Sequence, residues 1–299
     1  MSEKSYSSER LGVWFAVIAA LGFSFKAIFV KLAYAVAPVE AITLLSLRML
    51  FSAPAFLWVI VSSGRHQPSL SARDWTLLGI LGLLGYYGAS ILDFWGLQYI
   101  SAGLERLILF TYPTLILLIN VVFMGKALHR REIGSLLISY AGIGLAFWHD
   151  LKIAGDMQWV LIGAAFVFGS SLSYAFYQAG SEVAIRRFGA ARFTALATLV
   201  SVGATQIHFF AAQPLSAYAQ PAPVLLYALG MALFSTVLPV FMQSAAIRRI
   251  GSAQSALIGM LGPVLTIFFG WLLLDESISV AQMAGTALVI AGVLLVSRR

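Results

Sequence analysis

The chain has 299 residues, of which 60% are hydrophobic and 10% charged, with a formal net charge of +7 and no cysteine. Soluble domains are about 45–50% apolar and about 25% charged, so this composition excludes a soluble protein and indicates a chain that crosses a membrane many times. The lack of cysteine excludes disulfides and thiolate metal sites, and we expect neither a cofactor nor a metal.

Ten apolar segments follow one another along the chain, joined by short connections. About 20 apolar residues cross a bilayer, and the first segment is too long and too aromatic for a cleaved signal peptide. The sequence therefore predicts an all-α polytopic membrane protein with no soluble domain. The predicted spans, numbered 1 to 10, are Leu11–Ala35, Val39–Val61, Trp75–Tyr99, Ala102–Gly125, Ile133–Trp148, Trp159–Ala184, Phe193–Phe210, Pro223–Ile247, Ala253–Leu274 and Val280–Ser297.

The basic residues of the connections divide between the two sides of the membrane. With the N-terminus in the cytoplasm, 14 Lys and Arg residues fall on the inner side, and Lys152 alone falls on the outer side. Inner connections of membrane proteins carry such an excess. We therefore expect both termini in the cytoplasm of a multi-pass protein of the cytoplasmic (inner) membrane. The basic pairs are expected to contact lipid headgroups rather than nucleic acid.

The two halves of the chain repeat after a shift of 150 residues. Pro113 then meets Pro263, and Ala141-Gly142 meets Ala291-Gly292. Each half holds five spans, and an odd number inserts the second copy upside down. The sequence thus predicts two inverted five-helix repeats, residues 1–149 and 150–299, around a central cavity. Inverted repeats are typical of secondary transporters, whose substrate site lies near the membrane midplane between the halves.

The ends of the two halves carry a recognisable pattern. They read GLQYISAGLERLILFTYPTLILLINVVFMGK and AIRRIGSAQSALIGMLGPVLTIFFGWLLLDESIS, each with a small-residue turn and a span with a central proline, Pro113 or Pro263. Glu276 ends the second span, whereas Lys126 stands in that place in the first. The chain resembles the EamA-type branch of the drug/metabolite transporter superfamily. The resemblance implies ten helices around a central cavity that move small metabolites, often outward.

Charged residues lie inside the predicted spans of the first half, where each costs about 2.5–3.5 kcal/mol to insert. Asp93 and Glu105 are expected at the same depth as the cations, on the outer side, and should pair with Lys26, Arg48 or Arg106. Such pairs could tie helices together, gate the outer side or act as a proton-linked switch. Lys31 lies near a span end and could instead extend to the headgroups. The predicted charge network consists of Lys26, Arg48, Asp93, Glu105 and Arg106.

Polar and aromatic residues recur at helical spacing in spans 3, 4 and 6, and tyrosine is unusual so far from the membrane interface. Serine is also common where helices pack together, so we place most weight on the tyrosines. Pro113 and Pro263 are expected to kink spans 4 and 9. The glycines spaced every third residue in span 3 could serve close helix contacts or a moving gate. The predicted substrate-binding residues are Tyr86, Ser90, Tyr112, Tyr174, Tyr177, Gln243 and Met260.

A lining of tyrosines suits flat or amphipathic molecules. Among proteins of the resembled family, exporters of amino acids, including aromatic ones, fit best, and the partners are then a small-molecule substrate and membrane lipid. A broad drug/metabolite or nucleotide-sugar-type transporter is the alternative. An intramembrane enzyme is more distant, because the HExxH, GxSxG and phosphate-loop motifs are absent. The sequence leaves direction, proton coupling and oligomeric state open, a monomer being one option.

Overall fold

A computed structural model describes residues 3–62, 69–124, 130–154, 156–259 and 261–297. The described residues are overwhelmingly helical and contain no strand. Spans 1, 2, 5, 6, 7 and 10 are each one helix: Glu3–Val36, Ala41–Ser62, Arg130–Ala154, Met157–Phe188, Ala190–Ala212 and Val280–Ser297. The predicted span 9 falls on two described helices, since its first residues lie at the end of Leu238–Gly259 and its later residues form Leu261–Leu274.

The other three spans are interrupted. Span 3 consists of Ala72–Gly82, a π-helical turn and Ala89–Gly96, and span 4 consists of Ala102–Leu109 and Tyr112–Met124. Span 8 consists of Ala222–Ala232, a second π-helical turn and Leu238–Gly259. The two π turns are Leu83–Gly88 and Leu233–Val237. A short 3₁₀ helix, Leu215–Tyr218, lies between spans 7 and 8.

The number of membrane helices agrees with the sequence prediction. Seven described helical stretches are long and apolar enough to cross a membrane, and three shorter apolar helices coincide with spans 5, 9 and 10. Because hydrocarbon offers no hydrogen-bond partner, a spanning segment must satisfy its backbone groups internally, which a helix does. The protein is therefore an all-α, polytopic membrane protein.

The predicted connection between spans 8 and 9 is where the sequence prediction differs most from the structure. Span 8 was expected to end at Ile247, but the helix Leu238–Gly259 continues through the predicted connection. The connecting residues IRRIGSA contain no proline. Arginine and alanine are good helix formers, and a single glycine costs only about 1 kcal/mol, so these residues allow a helix. Span 1 likewise begins at Glu3 rather than Leu11.

Helix ends in the two halves match after a shift of 150 residues. The register that the sequence shows near the end of each half therefore extends over most of the chain. Residues 149 and 150, the predicted repeat boundary, lie within the helix Arg130–Ala154, and that boundary stays a prediction. The matched elements are Ala41–Ser62 with Ala190–Ala212, Ala72–Gly82 with Ala222–Ala232, and Leu83–Gly88 with Leu233–Val237.

Helix contacts follow the same shift. Spans 2 and 7 are counterparts and pack against each other, as do spans 5 and 10. Span 3 packs on span 6, and its counterpart span 8 packs on span 1. At the crossing of spans 5 and 10, Gly142 and Gly285 bring the two backbones together, and a Cβ on either would meet the other's carbonyl. The halves therefore interlock through equivalent contacts.

Candidate functional site

Spans 1, 3 and 4 meet at a cluster of three charged side chains. The Lys26 ammonium lies 2.7 Å from Asp93 Oδ2 and 3.1 Å from Glu105 Oε1. The Lys26 side chain is 17% exposed, Asp93 2% and Glu105 0%. One cation thus bridges two carboxylates on different helices, which offsets part of the cost of burying all three. We call these residues the Lys26 cluster.

The two predicted arginines lie beside this cluster without a direct ion pair. The Arg48 guanidinium carbon is 5.7 Å from the centre of the Phe94 ring, and that of Arg106 is 5.3 Å from the centre of the Phe110 ring. Within the described part of the chain, neither guanidinium has a carboxylate at ion-pair distance. Of the three cations that the sequence offers as partners, Lys26 is the one at ion-pair distance from Asp93 and Glu105 in the described part of the chain.

Four predicted tyrosines form a continuous chain of contacts between spans 3, 4 and 6. The Tyr177 hydroxyl donates to the Tyr86 hydroxyl at 3.3 Å, and their ring centres are 5.3 Å apart. Tyr174 follows, with its ring centre 5.6 Å from that of Tyr177 and 5.2 Å from that of Tyr112. The edge-on and tilted ring arrangements are favourable ones for aromatic pairs. We call Tyr86, Tyr112, Tyr174 and Tyr177 the tyrosine cluster.

The π turn of span 3 carries Tyr86. A π turn leaves backbone carbonyls outside the regular helical pattern and is frequent at functional sites. Serine hydroxyls from spans 6 and 7 donate hydrogen bonds to backbone carbonyls in or beside this turn. These bonds stabilise the turn, because little water is present there to satisfy the carbonyls. The three bonds run from Ser201 to Gly82, from Ser173 to Leu84 and from Ser170 to Ala89, at 2.6, 2.7 and 2.6 Å.

Two glycines in and next to this turn, Gly82 and Gly85, allow neighbouring helices to pack closely against it. A Cβ on Gly85 would overlap the Tyr177 ring, and one on Gly82 would meet the Ala197 carbonyl and Val200. Gly79, by contrast, has nothing within 4 Å of its Cβ position. A Cβ on Gly88 would likewise lie 3.2 Å from the Ser173 hydroxyl oxygen, so close contacts are made at Gly82, Gly85 and Gly88 but not at Gly79.

Pro113 accompanies a break in span 4 rather than a mid-helix kink. The first helix ends at Leu109 and the second begins at Tyr112, so Pro113 lies in a first turn, where its missing N–H is tolerated. Proline would clash with the carbonyl four residues earlier. That carbonyl, on Leu109, accepts a hydrogen bond from Ser171 at 3.1 Å. Pro263 lies within the described helix Leu261–Leu274, and its expected kink stays a prediction.

Two other predicted substrate-binding residues, Ser90 and Gln243, lie apart from these contacts. Ser90 and Gln243 are half-buried in spans 3 and 8. Among the described residues, no hydrogen bond or ring contact joins either of them to the tyrosine cluster. Met260 lies outside the described residues. No three His, Asp or Glu side chains in the described part of the chain are arranged to hold a metal ion.

A second ionic contact, which the sequence did not indicate, joins Lys31 to Glu276. The Lys31 ammonium donates to the Ile100 carbonyl at 2.7 Å and lies 3.7 Å from Glu276 Oε1. The same Glu276 oxygen accepts from the Ala102 backbone N–H at 2.9 Å, at the start of span 4. A carboxylate there also complements the positive end of the helix dipole. The Lys31 ammonium is therefore held by protein groups rather than extended to the lipid headgroups. Glu276, which follows span 9, contacts residues of spans 1 and 4.

Comparison with known proteins shows which class of protein this helical bundle belongs to. The EamA-like transporter family matches residues 10–148 and 161–298. The protein is thus a multi-pass membrane transporter. The chain belongs to the EamA-like transporter family, within the drug/metabolite transporter superfamily.

Individual relatives agree with this class. The chain is 30% identical over 287 residues to "Uncharacterized transporter YcbK" of Bacillus subtilis (strain 168), covering 92% of this chain and 88% of that protein. It is 25% identical to "Probable terminal-alkyne amino-acid exporter" of Streptantibioticus cattleyicolor, covering 76% and 75%. The chain also matches a crystal structure with a TM-score of 0.67 and 16% identity. The match covers 95% of this chain and 96% of the other chain, which shows that the two share a fold.

Proposed function

We propose that this transporter exports small metabolites by alternating access, and that amino acids, including aromatic ones, are its substrates. The observation that carries the proposal is the tyrosine cluster, in which four rings from three helices touch in sequence. Tyrosine rings offer stacking surface together with hydroxyl groups, which suits a flat side chain attached to a polar group. Ser90, Gln243 and Met260 belong to the proposed lining by their places in spans 3, 8 and 9.

Two further features support this proposal. The charged residues beside the tyrosine cluster provide both signs, as a zwitterionic substrate requires. One relative is named an amino-acid exporter. The proposed substrate site lies where the first repeat, residues 1–149, faces the second, residues 150–299, with the Lys26 cluster at its edge.

The transport experiment uses purified full-length protein in liposomes. Labelled phenylalanine or tryptophan is loaded inside, and movement is followed against protein-free liposomes and against a panel of non-aromatic amino acids. We expect aromatic amino acids to move faster than aspartate or lysine, because these lack a ring and add a charge. No protein-dependent movement of any amino acid would reject the proposal and favour a carrier of other metabolites or drugs.

We further propose that both termini face the cytoplasm of an inner-membrane protein. The excess of basic residues in the connections supports this orientation. Because the chain has no cysteine, single cysteines report their side of the membrane without background. Cysteine at the exposed Ser216 should react with an impermeant thiol reagent added to intact cells, and cysteine at the exposed Ser69 should not. The reverse labelling would reject this orientation.

A further inference from the structure

Arg48 is a buried cation with an unused hydrogen-bond donor. The residue is 5% exposed, and its Nε donates to the Thr236 hydroxyl at 2.9 Å. Its Nη1 is buried and has no hydrogen-bond partner among the described residues. A guanidinium buried in this way loses its hydration, and an unmade hydrogen bond to a charged group is costly. Arg48 is thus incompletely satisfied by the protein itself.

The buried charges around Arg48 do not balance. Lys26, Arg48 and Arg106 contribute three positive charges, and Asp93 and Glu105 two negative ones, which leaves one positive charge in excess (3 − 2 = 1). Asp93 acts electrostatically on Arg48, but its nearest cation is Lys26, at 2.7 Å. A bound monoanion would neutralise the excess and remove a cost of burial.

The two arginines lie at the two ends of the tyrosine cluster. Arg48 is within electrostatic range of Tyr86, and Arg106 is within range of Tyr112 and Tyr174. Arg106 also has a buried donor, Nε, without a hydrogen-bond partner in the described part of the chain. An anion between Arg48 and the tyrosines could therefore have its attached ring against the cluster.

We propose that Arg48 binds the carboxylate of a ring-bearing substrate, with Nη1 as the donor and Arg106 adding to the positive field. The inference rests on the proposed function and adds which end of the amino acid is recognised most strongly. Charged hydrogen bonds from arginine to carboxylate are among the strongest that proteins make. Asp93 and Glu105 already hold Lys26, so the substrate's ammonium contributes less than its carboxylate. An aromatic acid without an amine binds, and an aromatic amine without an acid does not.

The experiment measures thermal unfolding of the purified full-length protein with three probes that share a phenyl ring. These are phenylalanine, 3-phenylpropionate and phenethylamine. A ligand that binds only the folded state raises the unfolding temperature according to its concentration and affinity. We expect the first two probes to stabilise the protein and phenethylamine to have no effect. Equal stabilisation by phenethylamine, or none by 3-phenylpropionate, would overturn the inference.

Variants then assign the effect to Arg48. In Arg48→Gln, apparent affinity for 3-phenylpropionate should fall about ten- to hundredfold. Its unfolding temperature without ligand should change little, because the excess charge is gone. Arg48→Lys keeps the charge but loses the planar guanidinium, so its affinity for 3-phenylpropionate should be intermediate. This variant provides a second measurement if Arg48→Gln does not fold. Unchanged affinity in either variant would overturn the inference.

Arg249→Gln is the matched control. Arg249 is exposed, and its guanidinium lies over the Phe15 ring, 4.9 Å from its centre. This variant should bind 3-phenylpropionate like the unmodified protein, and a loss as large as that of Arg48→Gln would overturn the inference. Binding of 3-phenylpropionate that depends on Arg48, without transport of any amino acid in liposomes, would reject the proposed function and leave the anion site standing.

Discussion

The two halves of this protein have nearly the same helices and very different side chains inside them. Each charge of the predicted network in the first half has an uncharged counterpart 150 residues later. Since the helix ends match to within about two residues in most elements, the backbone alone does not explain where the charges lie. The difference shows that a repeated scaffold can carry this charge network in one copy and uncharged residues at the equivalent positions of the other. The pairs are Lys26 with Phe176, Arg48 with Thr198, Asp93 with Gln243, Glu105 with Ser255, and Arg106 with Ala256.

The tyrosine cluster takes two residues from each half, and each of them has a small counterpart 150 residues away. Tyr86, Tyr112, Tyr174 and Tyr177 correspond to small residues, which are Thr236, Gly262, Ser24 and Ala27. The contact between the Tyr112 and Tyr174 rings has as its counterpart the hydrogen bond from the Ser24 hydroxyl to the Gly262 carbonyl, at 3.1 Å. A ring contact between spans 4 and 6 thus corresponds to a side-chain-to-backbone hydrogen bond between spans 9 and 1.

The π turns show what both halves share. Arg48 donates to Thr236 in the second π turn, and Thr198 lies against Tyr86 in the first. Arg48 and Thr198 are counterparts, as are Thr236 and Tyr86. The same pair of positions is therefore in contact in both repeats, through different side chains. The geometry is common to the two repeats, and the charge is particular to one.

The largest expected effect comes from removing an acid of the Lys26 cluster. Asp93→Asn leaves the buried cations with one carboxylate, and breaking a buried pair in this way costs about 3–5 kcal/mol. We expect a lower free energy of unfolding, measured by thermal or denaturant unfolding in detergent. Adding Lys26→Met restores the original net charge and should recover part of the loss.

Ser255→Ala is the matched control in the second repeat, at the counterpart of Glu105. The Ser255 hydroxyl is buried and has no hydrogen-bond partner among the described residues, so its removal should cost little. If Asp93→Asn were as stable as Ser255→Ala, the charged cluster would not hold spans 1, 3 and 4 together, and the contrast between the repeats would have no consequence for stability.

A smaller effect is expected at Gly85, whose counterpart, Ser235, carries a buried side chain. In Gly85→Ala the new Cβ overlaps the Tyr177 ring. Overpacking of this kind costs about 1–3 kcal/mol and should displace that ring. Gly79→Ala, in the same span, meets nothing within 4 Å and should be neutral or gain up to about 1 kcal/mol. Equal unfolding temperatures for the two variants would contradict the close contact.

The smallest effect is expected at Tyr174, and it concerns affinity rather than stability. Tyr174→Ala removes one ring contact, worth about 0.5–1.5 kcal/mol beyond area burial, or up to about tenfold in phenylalanine affinity. Tyr174→Phe keeps the ring and should be mild. Affinity is read from competition in the liposome assay, and folding from size-exclusion chromatography.

Ser24→Ala alters the counterpart of Tyr174 and serves as the comparison. It removes the hydrogen bond to Gly262 and should cost about 1 kcal/mol of stability without weakening phenylalanine binding. If well-folded Tyr174→Ala bound phenylalanine normally, the tyrosine cluster would be a packing feature in both repeats, and the proposed site would be elsewhere.

Several of these features were accessible from sequence, and others were not. The charges in spans 1, 3 and 4 could be placed at one depth because helical rise fixes depth. Which cation would meet Asp93 and Glu105 could not be chosen, since Lys26, Arg48 and Arg106 all reach that level. The pairing of Lys31 with Glu276 joins residues far apart in sequence, and no local pattern indicates it. A shift of 150 residues applied to Tyr86 would have pointed to Thr236, and hence to the second π turn.

The sequence by itself determined the class of protein, because hydrocarbon accepts only long apolar segments whose backbone bonds are internal. It also determined the 150-residue register. The tertiary structure decided the features that depend on neighbouring helices. The π turn of span 3 has its carbonyls hydrogen-bonded to Ser170, Ser173 and Ser201, which come from two other spans. Arg48 packs over the Phe94 ring and makes no ion pair with Asp93, because the Asp93 carboxylate is already paired with Lys26. Such choices follow from competition among partners in space, which a linear pattern does not contain.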